Sequence, residues 1–257
     1  MAAPSSRLRR YAVLKAGHAT GYIERIHGGF ARMLERLLRD PDENERWDVY
    51  HVVDGDFSFL DETSDFDGFV ITGSAADAHA DDEWILRLRD AVQLLYLQKK
   101  RILGICFGHQ IIARALGGET GRAAAGWELG VKKLSVDSAK IREIYGLEFP
   151  STIDVIESHR DQVSAVPPEA VVLASSEKTR IEMFAIGDQI LGIQSHPEFS
   201  EDVVMDIIDG RLSRDSITIE VANEAIQSFE ESNPDQEMMK SLCKTFLKGP
   251  GKAISFA

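Results

Sequence analysis

The sequence predicts an α/β fold in which a mostly parallel sheet carries helices on both faces. Over the first half of the chain, short apolar segments alternate with segments of helical periodicity. Strand-like segments joined by turns follow, and the chain is helical from Glu201 onward. With 257 residues, of which 44% are hydrophobic and 28% charged, the chain can bury a core without disulfides or metals. We expect one domain over residues 1–257, with a core over about 10–210 and a helical tail over 211–250.

Strands and helices alternate in the first half of the prediction. The strands are predicted at Tyr11–Lys15, Trp47–Val53, Gly68–Thr72 and Arg101–Ile105. The helices are predicted at Phe30–Arg39, from Asp81 or Asp82 through Leu95, and at about His109–Leu116. Parallel strands need crossover connections, which helices usually provide. We therefore predict a doubly wound, flavodoxin-like sheet.

The sequence pattern predicts a small β-rich insertion in the middle of the chain and a helical tail at its end. The strand-like segments are Val131–Val136, Ile153–Ile156, Val171–Ser175, Glu182–Ile186 and Ile190–Gln194. In the tail, Val203, Ile207 and Ile208 form one apolar stripe at helical spacing. Two further helices are predicted at Ile217–Phe229 and Met238–Leu247.

Charge and cysteine content exclude several classes of function. The net charge is −13, from 29 basic and 42 acidic residues, which argues against nucleic acid as a partner. The basic cluster Arg7, Arg9 and Arg10 is interpreted as a solvated start of the chain. Two cysteines, Cys106 and Cys243, form no disulfide framework and indicate a reducing compartment. Because the sequence contains no long apolar run and no good secretory signal, we expect a cytosolic protein without a membrane partner.

Cys106 occupies the most informative segment, between a predicted strand and a predicted helix. Gly104 and Gly108 stand two positions before and after it, which is the layout of a nucleophile elbow. At the start of a helix, the dipole and unpaired N–H groups favour a thiolate, and the N–H of Phe107 points toward a possible oxyanion. The alternative is a buried structural cysteine in a strand-to-helix turn.

A base for this nucleophile is available 90 residues further along the chain, at His196. Histidine is the usual base for a thiol, and a carboxylate that fixes its tautomer improves it. Glu198 is two positions away, so both side chains can face the same way in an extended segment. The alternative for the His-Pro-Glu triplet alone is a surface turn. Because no set of residues has convincing zinc spacing and the sequence has no phosphate-binding loop, we predict neither metal nor cofactor.

These segments resemble the class I glutamine amidotransferase family. The resemblance rests on Gly104–Gln110, His196–Glu198 and Ile71–Ser74 and spans roughly residues 10–210. It implies that Cys106 is the nucleophile, that His196 is the general base and acid, and that Glu198 orients the histidine. It also implies an oxyanion hole formed by the backbone N–H groups of Phe107 and Ser74. The loop reads Gly73-Ser74-Ala75 where the family usually has Gly-Gly-Pro, which questions its rigidity.

The resemblance further implies a pocket that holds a γ-glutamyl group. Gln110 matches the family residue that contacts this group, and the backbone around Ser158 and His159 resembles the segment that holds the substrate α-carboxylate. Trp127 and Glu128 resemble a loop that lines the pocket. The implied substrate-binding residues are Gly73, Gln110, Trp127, Glu128, Ser158 and His159.

A narrower resemblance is to the plant γ-glutamyl peptidases. It rests on Ile102–Ile112, Leu173–Glu177 with Glu182–Phe184, and Leu242–Gly249. It implies hydrolysis of the γ-glutamyl amide bond of glutathione or its S-conjugates, through a γ-glutamyl thioester on Cys106. One alternative is a glutaminase subunit that releases ammonia for a separate synthetase, and another is a non-catalytic binding protein on the same fold.

The positive charge that an acidic conjugate would need has three candidates in the sequence. These are Arg122, Arg160 and Arg180, and the alternative for each is solvated surface. The sequence leaves the S-substituent of the conjugate and the oligomeric state open.

Overall fold

The computed structural model describes residues 7–249, so the last residue of the predicted tail, at position 250, lies outside them. The strands are β1 (Arg9–Leu14), β2 (Glu45–Tyr50), β3 (Gly68–Ile71), β4 (Arg101–Ile105), β5 (Glu119–Arg122), β6 (Glu128–Val136), β7 (Thr152–His159), β8 (Asp161–Ala165), β9 (Val171–Ser175), β10 (Met183–Ile186) and β11 (Ile190–Ile193). The helices are α1 (Gly21–His27), α2 (Gly29–Leu38), α3 (Glu83–Leu97), α4 (Phe107–Ala115), α5 (Ser138–Tyr145), α6 (Glu201–Leu212), α7 (Ile219–Glu231) and α8 (Gln236–Lys248).

A nine-stranded sheet runs in the order β2-β1-β3-β4-β11-β10-β9-β6-β7. Its first five strands are mutually parallel and follow the flavodoxin-like order, with β11 as the fifth parallel strand. The remaining four strands are antiparallel to their neighbours. The chain between β4 and β11 supplies them, so the predicted β-rich insertion extends the sheet. The predicted α/β class with a mostly parallel sheet is confirmed.

Hydrophobic layers cover both faces of the sheet. Neighbouring residues of one strand point to opposite faces, so Ile102 belongs to the layer beneath α3 and α4. Leu103 belongs to the layer beneath α2, α5 and α8. Leu242 and Phe246 of α8 lie in this second layer, so the last helix is part of the core. Because burying an apolar side chain contributes about 1.5–3 kcal/mol, truncating Phe246 would destabilise the fold itself.

Most predicted elements match the structure, and the misses have physical reasons. The segment predicted as a strand at Trp47–Val53 leaves the sheet after Tyr50, and Val52–Asp54 forms a 3-10 turn. The short helix α1 was missed because Ile23 is its only buried residue and so gives no periodic stripe. The helix α5 buries only two residues and was missed for the same reason. The prediction also missed β5 and β8, which pair with each other in a separate two-stranded sheet.

The interpretation of the basic cluster as a solvated chain start was wrong for Arg10. Its guanidinium lies 2.7 Å from Asp48 and 3.3 Å from Glu62, and its side chain is only 17% exposed. It also lies 4.6 Å from the centre of the Phe66 ring. Arg10 belongs to β1, and the neighbouring elements supply the carboxylates that pair with it. Across residues 7–249, no helix is both long enough and apolar enough to span a bilayer.

Candidate active site

The three segments that the sequence singled out meet at one edge of the sheet. Cys106 follows β4, which pairs in parallel with β3 on one side and β11 on the other. Gly73 and Ser74 follow β3, and His196 follows β11. Carboxyl ends of parallel strands lie at the same edge of a sheet. The topology therefore brings together residues that are far apart in the sequence.

The turn at Cys106 is strained, and two glycines make it possible. Cys106 has φ 51° and ψ −100°, a conformation that non-glycine residues rarely adopt. A Cβ atom at Gly104 would lie 2.4 Å from the carbonyl carbon of Gly108. One at Gly108 would lie 2.4 Å from the backbone oxygen of Ile71. Because neither position has room for a side chain, strand and helix can approach closely enough to present the thiol.

Two backbone N–H groups beside Cys106 are available to an oxyanion. Phe107 is the first residue of α4, and its N–H precedes the hydrogen-bonded turns of that helix. Its ring is buried and stacks on Trp84 at 5.4 Å, which fixes the start of the helix. The other N–H belongs to Ser74. Within residues 7–249, neither N–H donates a hydrogen bond to the protein.

The loop that carries Ser74 is held by hydrogen bonds although it lacks the usual proline. The hydroxyl of Thr72 accepts a hydrogen bond of 3.0 Å from the N–H of Ala16 and donates one of 2.9 Å to the carbonyl of Gly73. The Ser74 hydroxyl accepts a hydrogen bond of 3.1 Å from the N–H of Ala76. These hydrogen bonds make the loop rigid, although its sequence departs from the usual Gly-Gly-Pro.

His196 lies between a carboxylate and the thiol. Its Nδ1 donates a hydrogen bond of 2.9 Å to Oε1 of Glu198, whose side chain is fully buried. That leaves Nε2 available to Cys106, which lies close enough to act on the pKa of the imidazole. The ring of Phe199 stacks on the imidazole at 3.9 Å. A Cβ atom at Gly73 would lie 2.8 Å from Cε1 of His196, so the imidazole is enclosed from both sides.

The electrostatics favour a charged imidazole in this position. Burial alone would lower the pKa of His196, but the carboxylate of Glu198 and a thiolate at Cys106 outweigh it and raise that pKa to about 10. At neutral pH the protonated imidazole of His196 therefore predominates. A thiolate–imidazolium pair is the reactive form of a cysteine nucleophile.

A pocket of about 410 Å³ opens in front of the thiol. Of the residues that the sequence predicts for the site, it is lined by Gly73, Ser74, Cys106, Ser158, His196 and Glu198. Its size suits a small molecule.

Comparison with known proteins identifies the family. The family model for glutamine amidotransferase class-I matches residues 43–205. The chain belongs to this family. Gamma-glutamyl peptidase 3 of Arabidopsis thaliana is 38% identical to it over 94% of this chain and 97% of that protein. Gamma-glutamyl peptidase 5 of the same plant is 35% identical over 96% and 98%. Both predicted resemblances and the prediction of a hydrolase are therefore confirmed.

Solved structures of glutamine amidotransferases share the fold. A glutamine amidotransferase from Thermotoga maritima has a TM-score of 0.71 at 20% identity, covering 93% of this chain and 96% of that chain. One from Methylobacillus flagellatus has a TM-score of 0.66 at 16% identity, covering 97% and 98%. At these identities, the likeness concerns the fold.

Four of the six residues predicted to bind substrate lie outside the lining of the pocket in this class I amidotransferase fold, and Gln110 and Trp127 are two of them. Gln110 is buried behind the elbow, where its amide donates hydrogen bonds to the carbonyl of Asp161 (2.8 Å) and to Oε1 of Gln194 (3.0 Å). Trp127 stands beside the pocket, and its Nε1 donates a hydrogen bond of 2.9 Å to the carbonyl of Ser216. Neither side chain contributes to the lining.

Glu128 and His159, also predicted to bind substrate, belong to a buried polar cluster with Glu157 and Glu182. Nε2 of His159 lies 3.2 Å from Oε2 of Glu157 and 3.7 Å from Oε2 of Glu128. Burial first, and a neighbouring carboxylate second, raise the pKa of Glu157 and of Glu182 well above the usual range. The sequence gives no indication of this cluster, because its three acidic members come from three different segments of the chain.

Among residues 7–249, two groups of side chains have donor atoms close enough together to hold a metal. Glu128, His159 and Glu182 form one buried group, and Asp77, His79 and Asp161 form the other, with donor atoms within 4.8 Å in each. In the second group, Arg122 already pairs with both Asp77 and Asp161. The prediction that the protein uses no metal stays a prediction.

The positive charge of the pocket comes from Arg211 and Arg214, which the sequence analysis missed. Arg122, Arg160 and Arg180, the candidates from the sequence, do not line the pocket. A signal did exist. Arg211 stands four residues after Ile207 and three after Ile208, so it lies on the same helix face as the apolar stripe of α6. This spacing predicts that its side chain faces inward.

Proposed function

We propose that the protein is a cysteine-dependent γ-glutamyl peptidase that hydrolyses the γ-glutamyl amide bond of glutathione or its S-conjugates. The observation that carries the proposal is the thiol–imidazole–carboxylate arrangement of Cys106, His196 and Glu198 at a small-molecule pocket. Relatives named gamma-glutamyl peptidase, similar over nearly the full length of the chain, support the substrate class.

In the first half of the proposed reaction, Cys106 becomes acylated. The thiolate attacks the γ-carbonyl carbon, and the resulting oxyanion accepts hydrogen bonds from the N–H groups of Ser74 and Phe107. As the tetrahedral intermediate collapses, the carbon–nitrogen bond breaks and His196 donates its proton to the leaving amine. A γ-glutamyl thioester remains on Cys106, and the leaving peptide departs as a neutral amine.

In the second half, water cleaves the thioester. Acylation has removed the negative charge of the thiolate, which is one of the groups that raise the pKa of His196. The imidazole, which has given its proton to the leaving amine, is therefore more stable in its neutral form in the acyl-enzyme and can act as a base that accepts a proton from water. The oxygen of water bonds to the γ-carbon, the carbon–sulfur bond breaks, and glutamate leaves. Glu198 keeps the ring oriented through both halves.

Glutamine is the second candidate substrate, because it presents the same γ-glutamyl head with ammonia as the leaving group. The match to the glutamine amidotransferase family model favours this candidate. The proposed machinery is the same for both reactions, so only the leaving group distinguishes them. We also propose a cytosolic location, since both Cys106 and Cys243 are free thiols.

The test is a direct comparison of S-methylglutathione and glutamine with purified protein, with products identified by mass spectrometry. We expect glutamate and S-methylcysteinylglycine from the conjugate at the higher kcat/KM. Rapid ammonia release from glutamine without cleavage of the conjugate would replace the peptidase by a glutaminase. If neither substrate is cleaved and iodoacetamide fails to label Cys106 at neutral pH, the protein is a non-catalytic member of the family.

A further inference from the structure

Arg211 stands in the last turn of α6 and reaches into the pocket that contains Cys106. Its Nη2 donates a hydrogen bond of 3.3 Å to the hydroxyl of Ser158. The carbon of its guanidinium lies 3.7 Å from the centre of the Trp127 ring. The side chain is therefore clamped between an aromatic face and a hydroxyl, and both of these come from elements far from α6 in the sequence.

Within residues 7–249, no carboxylate pairs with the guanidinium of Arg211. Its Nη1 is buried and, within the part of the chain that the structure describes, has no hydrogen-bond acceptor. Burial lowers the pKa of Arg211 to about 10, and a thiolate at Cys106 acts in the opposite direction. Arg214, the other arginine of the pocket, adds a second positive charge. A buried cation without a counter-ion is unfavourable unless a ligand supplies the missing negative charge.

A purely structural explanation of Arg211 accounts for only part of these contacts. A cation near a helix C-terminus interacts favourably with the helix dipole, and stacking on Trp127 adds a cation–π contribution. Neither of these two interactions provides a hydrogen-bond acceptor for the N–H groups of Nη1. A structural arginine in this position would also be expected to direct its free nitrogen to solvent, whereas this nitrogen is buried.

We propose that Arg211 binds the α-carboxylate of the γ-glutamyl group, with Trp127 and Ser158 as positioning residues. The inference rests on the proposed function, because it takes the γ-carbonyl to be at Cys106. From that carbonyl carbon, the α-carboxylate is four bonds away, or roughly 5 Å in an extended chain. Ser158 and Arg211 line the same pocket as Cys106, so the carboxylate can reach the guanidinium.

This assignment defines a substrate class. An arginine offers a carboxylate a planar fork of two N–H donors, which a neutral amide cannot match. The pocket should therefore select γ-glutamyl compounds with a free α-carboxylate. It should reject glutamine residues within a polypeptide, because their α-carboxyl group is part of a peptide bond.

Binding to full-length protein that carries Cys106→Ala tests the inference without turnover. The ligands are S-methylglutathione, its analogue with an α-carboxamide, and its analogue with a carboxamide on glycine, each measured by calorimetry. Each ligand is titrated into the Cys106→Ala protein alone and with Arg211→Gln, Arg211→Lys or the control Arg142→Gln. Arg142 lies on α5, is 62% exposed in its side chain and is remote from the pocket lining.

With Arg211 intact, we expect the α-carboxamide to bind about 30- to 100-fold more weakly than S-methylglutathione, and the glycine carboxamide about equally. Arg211→Gln should weaken S-methylglutathione by a similar factor and abolish the preference for the α-carboxylate. Arg211→Lys should recover part of the affinity, and Arg142→Gln should change nothing. Thermal melting confirms that each variant is folded.

Three results would overturn the inference. One is an α-carboxylate preference that persists undiminished in Arg211→Gln, and another is a loss confined to the glycine carboxylate. The third is a lack of measurable binding of S-methylglutathione to the protein that keeps Arg211. Binding without cleavage by wild-type protein would instead leave the inference intact and contradict the proposed peptidase activity.

Discussion

The pocket has two walls that are built in different ways. The sheet wall consists of Ser74, Cys106 and His196, which follow the neighbouring strands β3, β4 and β11 at the centre of the sheet. The helix wall, on the other side, consists of Arg211 from α6 and Trp127, on which it stacks and which belongs to a loop more than 80 residues earlier in the chain. The first wall depends on backbone geometry and the second on side-chain contacts.

This difference separates chemistry from recognition. In the sheet wall, glycines without room for a Cβ atom and two backbone N–H groups fix the atoms that would react. In the helix wall, the guanidinium lies at the end of the long Arg211 side chain. Small changes in the residues that contact it can therefore alter its direction. Changes in the sheet wall should therefore lower kcat, whereas changes around Arg211 should mainly raise KM.

Cys106→Ala should produce the largest effect, because it removes the proposed nucleophile from the sheet wall. We expect kcat for γ-glutamyl hydrolysis to fall by about 10⁴-fold or more. Ligand binding should persist, since the helix wall is untouched. Steady-state kinetics and calorimetry on the same preparation check both expectations. A variant that retains a tenth of the activity would show that another group performs the attack.

Glu198→Gln should lower kcat by about 10²- to 10⁴-fold, because the neutral amide no longer fixes the orientation of the His196 imidazole or stabilises its protonated form. The carboxylate is the main cause that raises the pKa of His196 to about 10, so this pKa should fall in the variant. In the wild type, the raised pKa stabilises the folded protein fully below about pH 6.5. That stabilisation is lost as the pH rises through about 10.

NMR titration of the His196 Cε1–H signal measures this pKa directly in both proteins. Unchanged activity in Glu198→Gln would mean that the carboxylate only supports the fold. A pKa that does not move would mean that the contact with Cys106 alone maintains the charge of the imidazole.

Gly73→Ala tests the steric closure of the sheet wall. The new methyl group would lie 2.8 Å from Cε1 of His196, so the imidazole must shift away from the thiol. We expect kcat to fall by about 10²-fold, with a smaller change in KM. Gly121→Ala is the matched control, because a Cβ atom there meets nothing within 4 Å. Equal effects of the two substitutions on kcat would exclude the steric explanation.

The two walls also differ in how far the sequence predicts them. The sheet wall follows from local patterns, since each of its residues comes directly after a short apolar strand. The helix wall depends on how α6 meets the loop at Trp127, which no local pattern specifies. Arg211 was therefore missed, although its spacing from Ile207 placed it on the inward face. Gln110 was placed in the pocket by resemblance, yet its amide is occupied by Asp161 and Gln194.

Ser74→Ala should have the smallest effect, because the proposed oxyanion donor at this position is a backbone N–H that every residue except proline possesses. The substitution removes only the hydroxyl that accepts a hydrogen bond from the N–H of Ala76. The bonds of Thr72 to Ala16 and Gly73 remain and continue to hold the loop. We expect kcat to change by no more than about threefold, whereas loss of an oxyanion donor costs about 10²- to 10³-fold. A loss of the larger size would mean that the serine hydroxyl itself stabilises the oxyanion, and the sheet wall would then depend on side chains as the helix wall does.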